Sequence, residues 1–576
     1  MLSNENFILA PLEIKKARKR LLISSVFIFS IFLSIFSQIL SFPFQNNNKE
    51  LFASQLINVQ NRANIIDRNS NVLATNIPAW SIYADPNEVL EPKKSASVLH
   101  KLMPEKDLDI LIKKLNSNKN YVEIDRVSSP NRYNLILKSG ITGIHFSKIQ
   151  TRIYPKGNLA SHILGNVNRD GIGTAGIESK IDQKLKSSSD PIKLTIDSNV
   201  QYILQTEIKK QIDFFQAKSG SGIVLDITNG EIIAISSIPN FDVNYFGEAT
   251  KDQKFNRATF GIYDMGSTFK LINTAIAIDS KKVNIEEKFN TSKPLYLGRH
   301  RIDDFRYLDR PVNVAEILIN SSNIGSALIA RKIGPKIQKH YFDLLELTNK
   351  PDLPLLEVSK PIFNENWPKS TSITASYGYG IAVSPIQLAS AIACIFNEGK
   401  FIKPRLIIDN KKLIEKTIFS KETSLLMRKL ARAVITHPDG SGKKADAFGY
   451  LVGGKTGTAE LVSRNGGYKK NSNLASFVAA FPINKPKFLV LVLIEEPKPQ
   501  LEKLKHRFTT GGQVAAPVVK RIITRIAPIL NVHPIVTDLP KIEQSLELKF
   551  LNNNLGCHLV FFDLKNLMIT EFLFYL

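Results

Sequence analysis

The sequence predicts an α+β protein in which helices flank an antiparallel sheet and a single transmembrane helix precedes the rest. Three observations support this fold class. An uncharged apolar segment runs from Leu21 to Phe42. Residues 220–239 and 473–497 each have the pattern of two adjacent apolar strands. Much of the chain between these strand pairs has helical periodicity, so strands come first, helices follow, and strands return.

The composition excludes several classes of protein. Hydrophobic residues make up 43% of the chain and charged residues 22%, which is typical of a globular protein and excludes a wholly disordered or polytopic membrane protein. The two cysteines, Cys394 and Cys557, are too few for a disulfide scaffold or a cysteine-rich zinc module. Cys394 lies in an apolar helical pattern, so we expect it in the core and not paired with Cys557.

The chain is strongly basic, with 76 Lys and Arg against 52 Asp and Glu and a formal net charge of +24. Such a surplus indicates a nucleic acid, an anionic membrane or an anionic polymer as partner. Coding bias is the alternative, because the chain is also rich in Asn and Ile.

The apolar segment predicts a membrane anchor, because a helix of this length crosses the hydrocarbon core. Five basic residues precede it directly: Lys15, Lys16, Arg18, Lys19 and Arg20. The positive-inside rule therefore predicts a cytoplasmic segment at 1–20, an anchor at 21–42 and an exported remainder. A cleavable signal peptide is the alternative, but its apolar region is usually shorter and ends in a small-residue site. Most of the basic surplus then lies where nucleic acid is absent.

The exported part begins with a polar spacer, QNNNKE, at 45–50. Residues 62–76 predict a β-hairpin, and residues 91–118 have helical periodicity. Residues 152–165 and 170–178 are expected to be extended connections. The sequence pattern changes after residue 189: residues 192–197 predict a strand and residues 199–215 a helix.

The first chemical motif is Ser267-Thr268-Phe269-Lys270, at the start of an apolar helical run. The spacing of three residues places the hydroxyl and the amine on one helix face. A lysine whose pKa is lowered by burial or by a nearby cation can take the serine proton. Alone the motif is weak, because Ser and Lys are common in this chain.

The second motif is Ser321-Ser322-Asn323, between two helical stretches. Such a turn can present a hydroxyl and an amide at the rim of a cleft. A helix cap is the alternative, and for this motif taken alone it is the better one.

The third motif is Lys455-Thr456-Gly457-Thr458, in a pattern that predicts a strand. A cation and two hydroxyls suit a carboxylate, and a glycine lets a substrate backbone approach closely. The run from Gly449 to Thr456 also fits a phosphate-binding loop formally, but that loop requires a helix after the motif. The residues that follow predict a hairpin instead.

Together, in this order, the three motifs resemble those of the class B penicillin-binding proteins. Further segments carry the resemblance: NRATFGIYDMGSTFK around Ser267, SYGYGIAVSPIQLA at 376–389, TGGQVAAPVVKRI at 510–522, and the segments at 62–76 and 152–167. The resemblance covers about residues 62 to 528 and is greatest to the division-specific members. It implies a pedestal domain at 43–190, a transpeptidase domain of serine β-lactamase type at 191–535 and an atypical tail at 536–576.

The resemblance also implies a reaction, peptidoglycan D,D-transpeptidation through a serine acyl-enzyme, without a metal or other cofactor. Ser267 would be the nucleophile, Lys270 its base, Ser321 a proton relay and Asn323 a support for Lys270 and the substrate amide. Lys455 would supply positive charge, and Thr456, Gly457 and Thr458 would bind the substrate. Stem peptides would be the substrate and β-lactams the inhibitors. A SEDS-family glycosyltransferase and other division proteins would be partners, in a Gram-negative inner membrane with the catalytic domain in the periplasm.

Four alternatives remain open at this stage. The first is an elongation-type transpeptidase, which would serve elongation of the wall and not division. A β-lactamase shares the motifs but needs an additional carboxylate for hydrolysis, and the pedestal and anchor argue against it. A β-lactam sensor usually has several spans, and a non-catalytic division scaffold would not need intact motifs. The apolar segment at 555–576 does not resemble the family.

Overall fold

A computed structural model describes residues 11–45, 62–298, 300–409, 413–462, 467–500 and 508–548. The predicted spacer after Gln45, Cys557 and the C-terminal segment lie outside these residues. The chain forms two compact units. Of the described residues, the first unit contains 11–45 and 77–151, and the second contains 62–76 and those from 152 to 548.

The first unit includes helix α1, Pro11–Gln45. Its segment Arg18–Ser37 has a mean hydropathy of 2.0 and is long enough to cross a membrane. The observed helix therefore contains the whole of the anchor predicted at 21–42 and continues into the basic residues before it.

The rest of the first unit packs three helices against a small sheet. β2 (Val72–Ala84), β3 (Val122–Ser128) and β4 (Ile144–Ile153) belong to a five-stranded sheet, in which β2 pairs with β4 and is antiparallel to β3. The other two strands are β1 (Ile65–Ile66), which pairs with β2, and β5 (Ile192–Lys193), which is parallel to β1. The helices are α2 (Pro92–Leu102), α3 (Leu108–Leu115) and α4 (Pro130–Lys138). Buried Leu99, Leu111 and Leu115 form the core, as the helical period at 91–118 predicts.

The second unit is built on a five-stranded antiparallel sheet. Its strands are β6 (Ser219–Asp226), β7 (Ile232–Ile238), β17 (Gly453–Val462), β18 (Tyr468–Phe481) and β19 (Phe488–Glu495), in the order β17-β18-β19-β6-β7. Both predicted strand pairs are confirmed. Every residue of β6, β7 and β19 is buried, because apolar clusters cover both faces of the sheet. β17 is the edge strand, so its outer side remains available to other groups.

Helices cover the sheet, as the predicted fold class requires. The longer ones are α8 (Ser198–Phe215), α10 (Phe269–Asp279), α12 (Asn323–Ile333), α13 (Pro335–Leu344), α15 (Pro385–Phe396), α16 (Lys421–Thr436), α18 (Ala516–Ile526) and α19 (Leu539–Leu546). The shorter ones are α5 (Ser161–Leu164), α6 (Gly176–Lys180), α7 (Asp182–Ser187), α9 (Lys251–Lys254), α11 (Val314–Ile319), α14 (Lys369–Ala375) and α17 (Gly511–Val514). Cys394 is buried within α15, as predicted.

The other strands are short, β1 and β5 among them, and some pair with distant parts of the sequence: residues 65–66 pair with 192–193, and residues 263–264 with 382–383. They are β1 (Ile65–Ile66), β5 (Ile192–Lys193), β8 (Tyr263–Asp264), β9 (Lys288–Phe289), β10 (Leu295–Leu297), β11 (His300–Ile302), β12 (Val312–Asn313), β13 (Ile362–Phe363), β14 (Ile381–Val383), β15 (Lys400–Ile402) and β16 (Glu415–Thr417). β1 pairs with the start of β2, which confirms the hairpin predicted at 62–76.

Two expectations about local structure are wrong in part. The segments 152–165 and 170–178 are not wholly extended, because they contain α5 and the start of α6. Of the strand predicted at 192–197, only β5 forms. Asp197, at the end of this segment, instead caps α8: its side chain accepts hydrogen bonds from the backbone N–H groups of Asn199 and Val200.

The phosphate-loop alternative for the third motif fails, because β18 follows β17 as its antiparallel partner and no helix follows the motif directly in the described part of the chain.

A buried ionic cluster joins distant parts of the second unit. The Glu178 carboxylate, which is fully buried, accepts hydrogen bonds from Arg62 Nε at 2.5 Å and from Arg152 Nε at 2.8 Å. Asp182 accepts a further bond from Arg62 at 2.7 Å. Asn76 donates to Arg62 O and accepts from Arg152. A buried pair of this kind depends on keeping all its partners, because an unpaired buried charge is costly.

Candidate active site

Ser267 lies in a 3₁₀ turn, Gly266–Thr268, that leads directly into α10. Lys270 is one turn further along and is 1% exposed. Its Nζ atom lies 2.9 Å from Ser267 Oγ, as the spacing of the first motif predicts. The apolar run after the motif is buried and holds this helix in the core.

A tight contact between two glycines supports the turn before Ser267. Gly266 N donates to Gly378 O at 3.1 Å. Gly378 has φ +87°, and a Cβ atom there would lie 2.0 Å from Gly266 O. Only a residue without a side chain fits this position. The segment at 376–389 thus fixes the backbone that presents Ser267.

Ser321 stands in the short link between α11 and α12, as predicted for the second motif. Its φ of +60° places it in the left-handed region, which is uncommon for a residue with a side chain. Lys270 Nζ donates to Ser321 O at 2.6 Å and to Asn323 Oδ1 at 2.6 Å. The helix-cap interpretation also holds, since Ser322 Oγ accepts from Gly325 N at 2.8 Å.

Lys455 lies on the edge strand β17 and is fully buried. Its Nζ atom donates to Ser321 Oγ at 2.9 Å and to Thr456 Oγ1 at 3.1 Å. The Ser321 hydroxyl also lies 3.3 Å from Lys270 Nζ. One hydroxyl therefore connects the two lysines.

The rest of the third motif contacts two neighbouring segments. Thr456 Oγ1 lies 2.9 Å from Ser441 Oγ. Thr458 Oγ1 accepts a hydrogen bond from Gly511 N at 3.0 Å. A Cβ atom on Gly457 would lie 2.3 Å from Ser476 Oγ and 2.9 Å from Met265 O, so this glycine lets β17 pack against the turn that carries Ser267.

Burial dominates the electrostatics of both lysines. It lowers the pKa of Lys270 to about 7, while the nearby Asp304 carboxylate opposes this change. Burial lowers the pKa of Lys455 well below its usual value, and the adjacent charge of Lys270 lowers it further. Lys270 therefore loses its proton near neutral pH, which leaves a base beside the Ser267 hydroxyl.

The structure thus brings the three motifs together, although they are far apart in the sequence. Ser267, Lys270, Ser321, Asn323 and Lys455 form one hydrogen-bonded network. Thr456 joins it through Lys455, and Gly457 and Thr458 continue along the strand. Such an arrangement can activate a serine hydroxyl beside a strand edge to which an extended peptide can bind.

Sequence reasoning missed two contributors to this site. Asp304 bonds to the Ser322–Asn323 turn from a loop, and Ser441 bonds to Thr456 from another loop. Neither belongs to a motif or a periodic segment. A serine or aspartate in a polar loop gives no signal that distinguishes it from its neighbours.

Two family models match the chain, one in its N-terminal part and one in the part that contains the three motifs. The penicillin-binding protein dimerisation domain matches residues 57–225. The penicillin binding protein transpeptidase domain matches residues 220–524, which include all three motifs.

Curated relatives cover most of the chain. The probable peptidoglycan D,D-transpeptidase FtsI of Caulobacter vibrioides is 34% identical over 486 residues, which are 82% of this chain and 82% of that protein. The peptidoglycan D,D-transpeptidase FtsI of Escherichia coli is 27% identical over 512 residues, or 82% of this chain and 84% of that protein.

The fold is also that of a solved structure. The crystal structure of penicillin binding protein 2X from Streptococcus thermophilus matches with a TM-score of 0.68 and 22% identity, over 82% of this chain and 80% of that one. Motifs, geometry, domain matches and relatives agree, and the chain therefore belongs to the class B penicillin-binding protein transpeptidases.

Proposed function

We propose that the chain is a peptidoglycan D,D-transpeptidase in which Ser267 is the nucleophile and Lys270 its general base. The observation that carries this proposal is the environment of Lys270 Nζ, which is buried and lies 2.9 Å from Ser267 Oγ. The same environment lowers its pKa to about 7, so much of the amine is neutral at physiological pH.

The partners of Lys270 orient its lone pair. Ser321 O and Asn323 Oδ1 can only accept hydrogen bonds, and both lie 2.6 Å from Nζ. They therefore take the two N–H groups of the neutral amine. The lone pair is left for the Ser267 hydroxyl, whose proton moves to Nζ as Oγ attacks the substrate carbonyl.

The reaction divides into two acyl transfers. Ser267 Oγ attacks the carbonyl between the two terminal D-alanines of a stem peptide, an ester forms, and the last D-alanine leaves as an amine. The proton on Lys270 reaches that amine through the Ser321 hydroxyl, which lies between the two lysines. An amine of a neighbouring stem peptide then attacks the ester, restores Ser267 and forms the cross-link.

Strand β17 provides the binding groups. Thr456 and Thr458 donate hydrogen bonds to the terminal carboxylate of the stem peptide, and Lys455 supplies positive charge once that carboxylate raises its pKa. Gly457 keeps the strand close to the turn that carries Ser267, so that these groups lie beside the nucleophile. The backbone N–H groups of Ser267 and Thr458 stabilise the oxyanion, and each such donor typically contributes about 3–4 kcal/mol.

The experiment compares full-length protein with single variants in detergent, using a fluorescent penicillin. The wild type should be labelled at Ser267, as mass spectrometry of its peptides would show, and Ser267→Ala should not be labelled. Lys270→Ala should slow acylation by roughly 100- to 10,000-fold because it removes the base. Lys282→Ala, an exposed lysine just after α10, is the control and should react normally.

Two results would reject the assignment. One is equal labelling of Ser267→Ala, which would place the nucleophile elsewhere. The other is a normal acylation rate in Lys270→Ala, which would remove this lysine as the base. With a donor peptide, release of D-alanine should turn over only when an acceptor amine is present.

The cellular setting follows from α1 and from the relatives. The apolar helix anchors the enzyme in a membrane. The basic residues before the span support a cytoplasmic N-terminus and a periplasmic catalytic domain in an inner membrane. Relatives named FtsI support a role in septal wall synthesis. A SEDS-family glycosyltransferase and other division proteins are the membrane partners that this proposal includes. The domain boundaries at 43–190 and 191–535 belong to the same proposal.

A further inference from the structure

The link that carries Ser321 has a conformation that its sequence does not favour. A left-handed φ of +60° costs a residue with a side chain on the order of 1 kcal/mol or more. This conformation accompanies the arrangement in which Ser321 presents its carbonyl oxygen to Lys270 and its hydroxyl to Lys455. The network at the two lysines therefore depends on whatever holds this link in place.

Asp304 contacts the link from the loop between β11 and β12. Its carboxylate accepts hydrogen bonds from Ser322 Oγ at 2.5 Å, from Asn323 N at 2.5 Å and from Ile324 N at 3.0 Å. The N–H groups of Asn323 and Ile324 lie in the first turn of α12 and have no acceptor within the helix. A negative charge is favourable at this position. These charge-assisted bonds are stronger than neutral ones and hold the three residues that follow Ser321.

The same loop orients the Asn323 side chain. Asn323 Nδ2 donates to Asp303 O at 3.0 Å, which directs Oδ1 toward Lys270. The loop thus holds both the backbone and the amide of the second motif. Three of its hydrogen bonds end on the Asp304 carboxylate.

We propose that Asp304 is a positioning residue for the reaction: it holds the Ser321–Asn323 link and acts on Lys270 through that link and through its own charge. The inference rests on the proposed role of Lys270 as base.

The two effects of Asp304 can be separated by substitution. Asp304→Asn keeps an oxygen that can accept from the α12 backbone but removes the charge, whereas Asp304→Ala removes both. The charged groups that the described residues place around Lys270 are Asp304 and Lys455. Because the carboxylate opposes the lowering of the Lys270 pKa, its neutralisation should lower that pKa further.

The test measures the rate constant of acylation by a fluorescent penicillin as a function of pH, on full-length protein in detergent. Asp304→Ala should slow acylation by about 100-fold, the usual effect of a small misplacement of catalytic groups. Asp304→Asn should keep more of the rate, and its half-maximal acylation should move to lower pH. Asp309→Asn removes the same charge from an exposed position on the same loop and should change neither quantity.

Several outcomes would overturn the inference. Wild-type acylation in both Asp304 variants would exclude any positioning role. Asp304 would be merely structural if Asp304→Asn were acylated more slowly with an unchanged pH midpoint and lost as much thermal stability as Asp304→Ala. If Asp304→Ala fails to fold, Asp304→Asn and its pH profile decide. Failure of the proposed function looks different, because the wild type itself would then not be acylated at Ser267.

Discussion

Lys270 illustrates how a single side chain is adapted by its surroundings. Burial favours the neutral amine, and two carbonyl oxygens hold its N–H groups. An exposed lysine has neither feature and stays an ammonium ion at neutral pH. The i, i+3 spacing predicts the contact with Ser267, but the change in pKa depends on packing from three separate segments.

The pH dependence of acylation follows from the state of Lys270. The neutral amine is the reactive form, and its pKa is lowered to about 7. Acylation should therefore increase with pH, reach half its maximum near neutral pH and then level off. Stopped-flow measurements with a fluorescent penicillin at a series of pH values would show this increase in rate. A rate that increases only in the range of an ordinary lysine would contradict the buried base.

Residues that reach the site from loops outside the motifs could not be predicted from the sequence. Ser267, Lys270, Ser321, Asn323 and Lys455 stand in motifs, so their association could be predicted without knowing any contact. Asp304 is different, because its importance arises from where its loop folds. One of two successive aspartates at 303–304 bonds the link with its carboxylate, while the other contributes its backbone carbonyl to Asn323. The sequence does not distinguish them.

At the scale of elements, the contact between the segment at 376–380 and the turn at 266–268 sets the position of the nucleophile. Gly378→Ala would add a Cβ 2.0 Å from Gly266 O at a φ of +87°. The backbone must then shift, and we expect a loss of roughly 2–4 kcal/mol in the free energy of unfolding. The melting temperature and the acylation rate should both decrease.

Gly247→Ala is the matched control for Gly378→Ala. A Cβ at Gly247 meets no atom within 4 Å, so stability and acylation should stay close to wild type. An unchanged melting temperature in Gly378→Ala would mean that the glycine contact does not constrain the turn.

Elements with a long periodic pattern were predictable, and short ones were not. The strands β6, β7, β18 and β19 and the helix α8 follow their apolar patterns closely. Helix α5 has only four residues, and Ala160 before it has φ +54°. Its existence depends on tertiary packing of Ile163 and Leu164, which are buried in the core of the second unit. A segment this short cannot form a helix on its own intrinsic preference.

At the scale of the whole molecule, the septal role leads to a test in cells. Depletion of the protein should produce filaments, because division would stop while elongation continues. A copy with Ser267→Ala should not restore division, whereas wild type and Lys282→Ala should. Microscopy of cell length and labelling of the septum with a fluorescent D-amino acid would measure this. Round cells after depletion would instead assign the enzyme to elongation.

The ionic cluster around Glu178 has a consequence for how the chain can change over evolution. Arg62 and Asn76 precede residues 77–151, Arg152 follows them, and hydrogen bonds connect all three within the second unit. The two ends of the segment 77–151 are thereby held close to each other. We expect such a segment to tolerate changes in length and sequence, because both of its ends are fixed. The strand register that holds Lys455 need not change when it does.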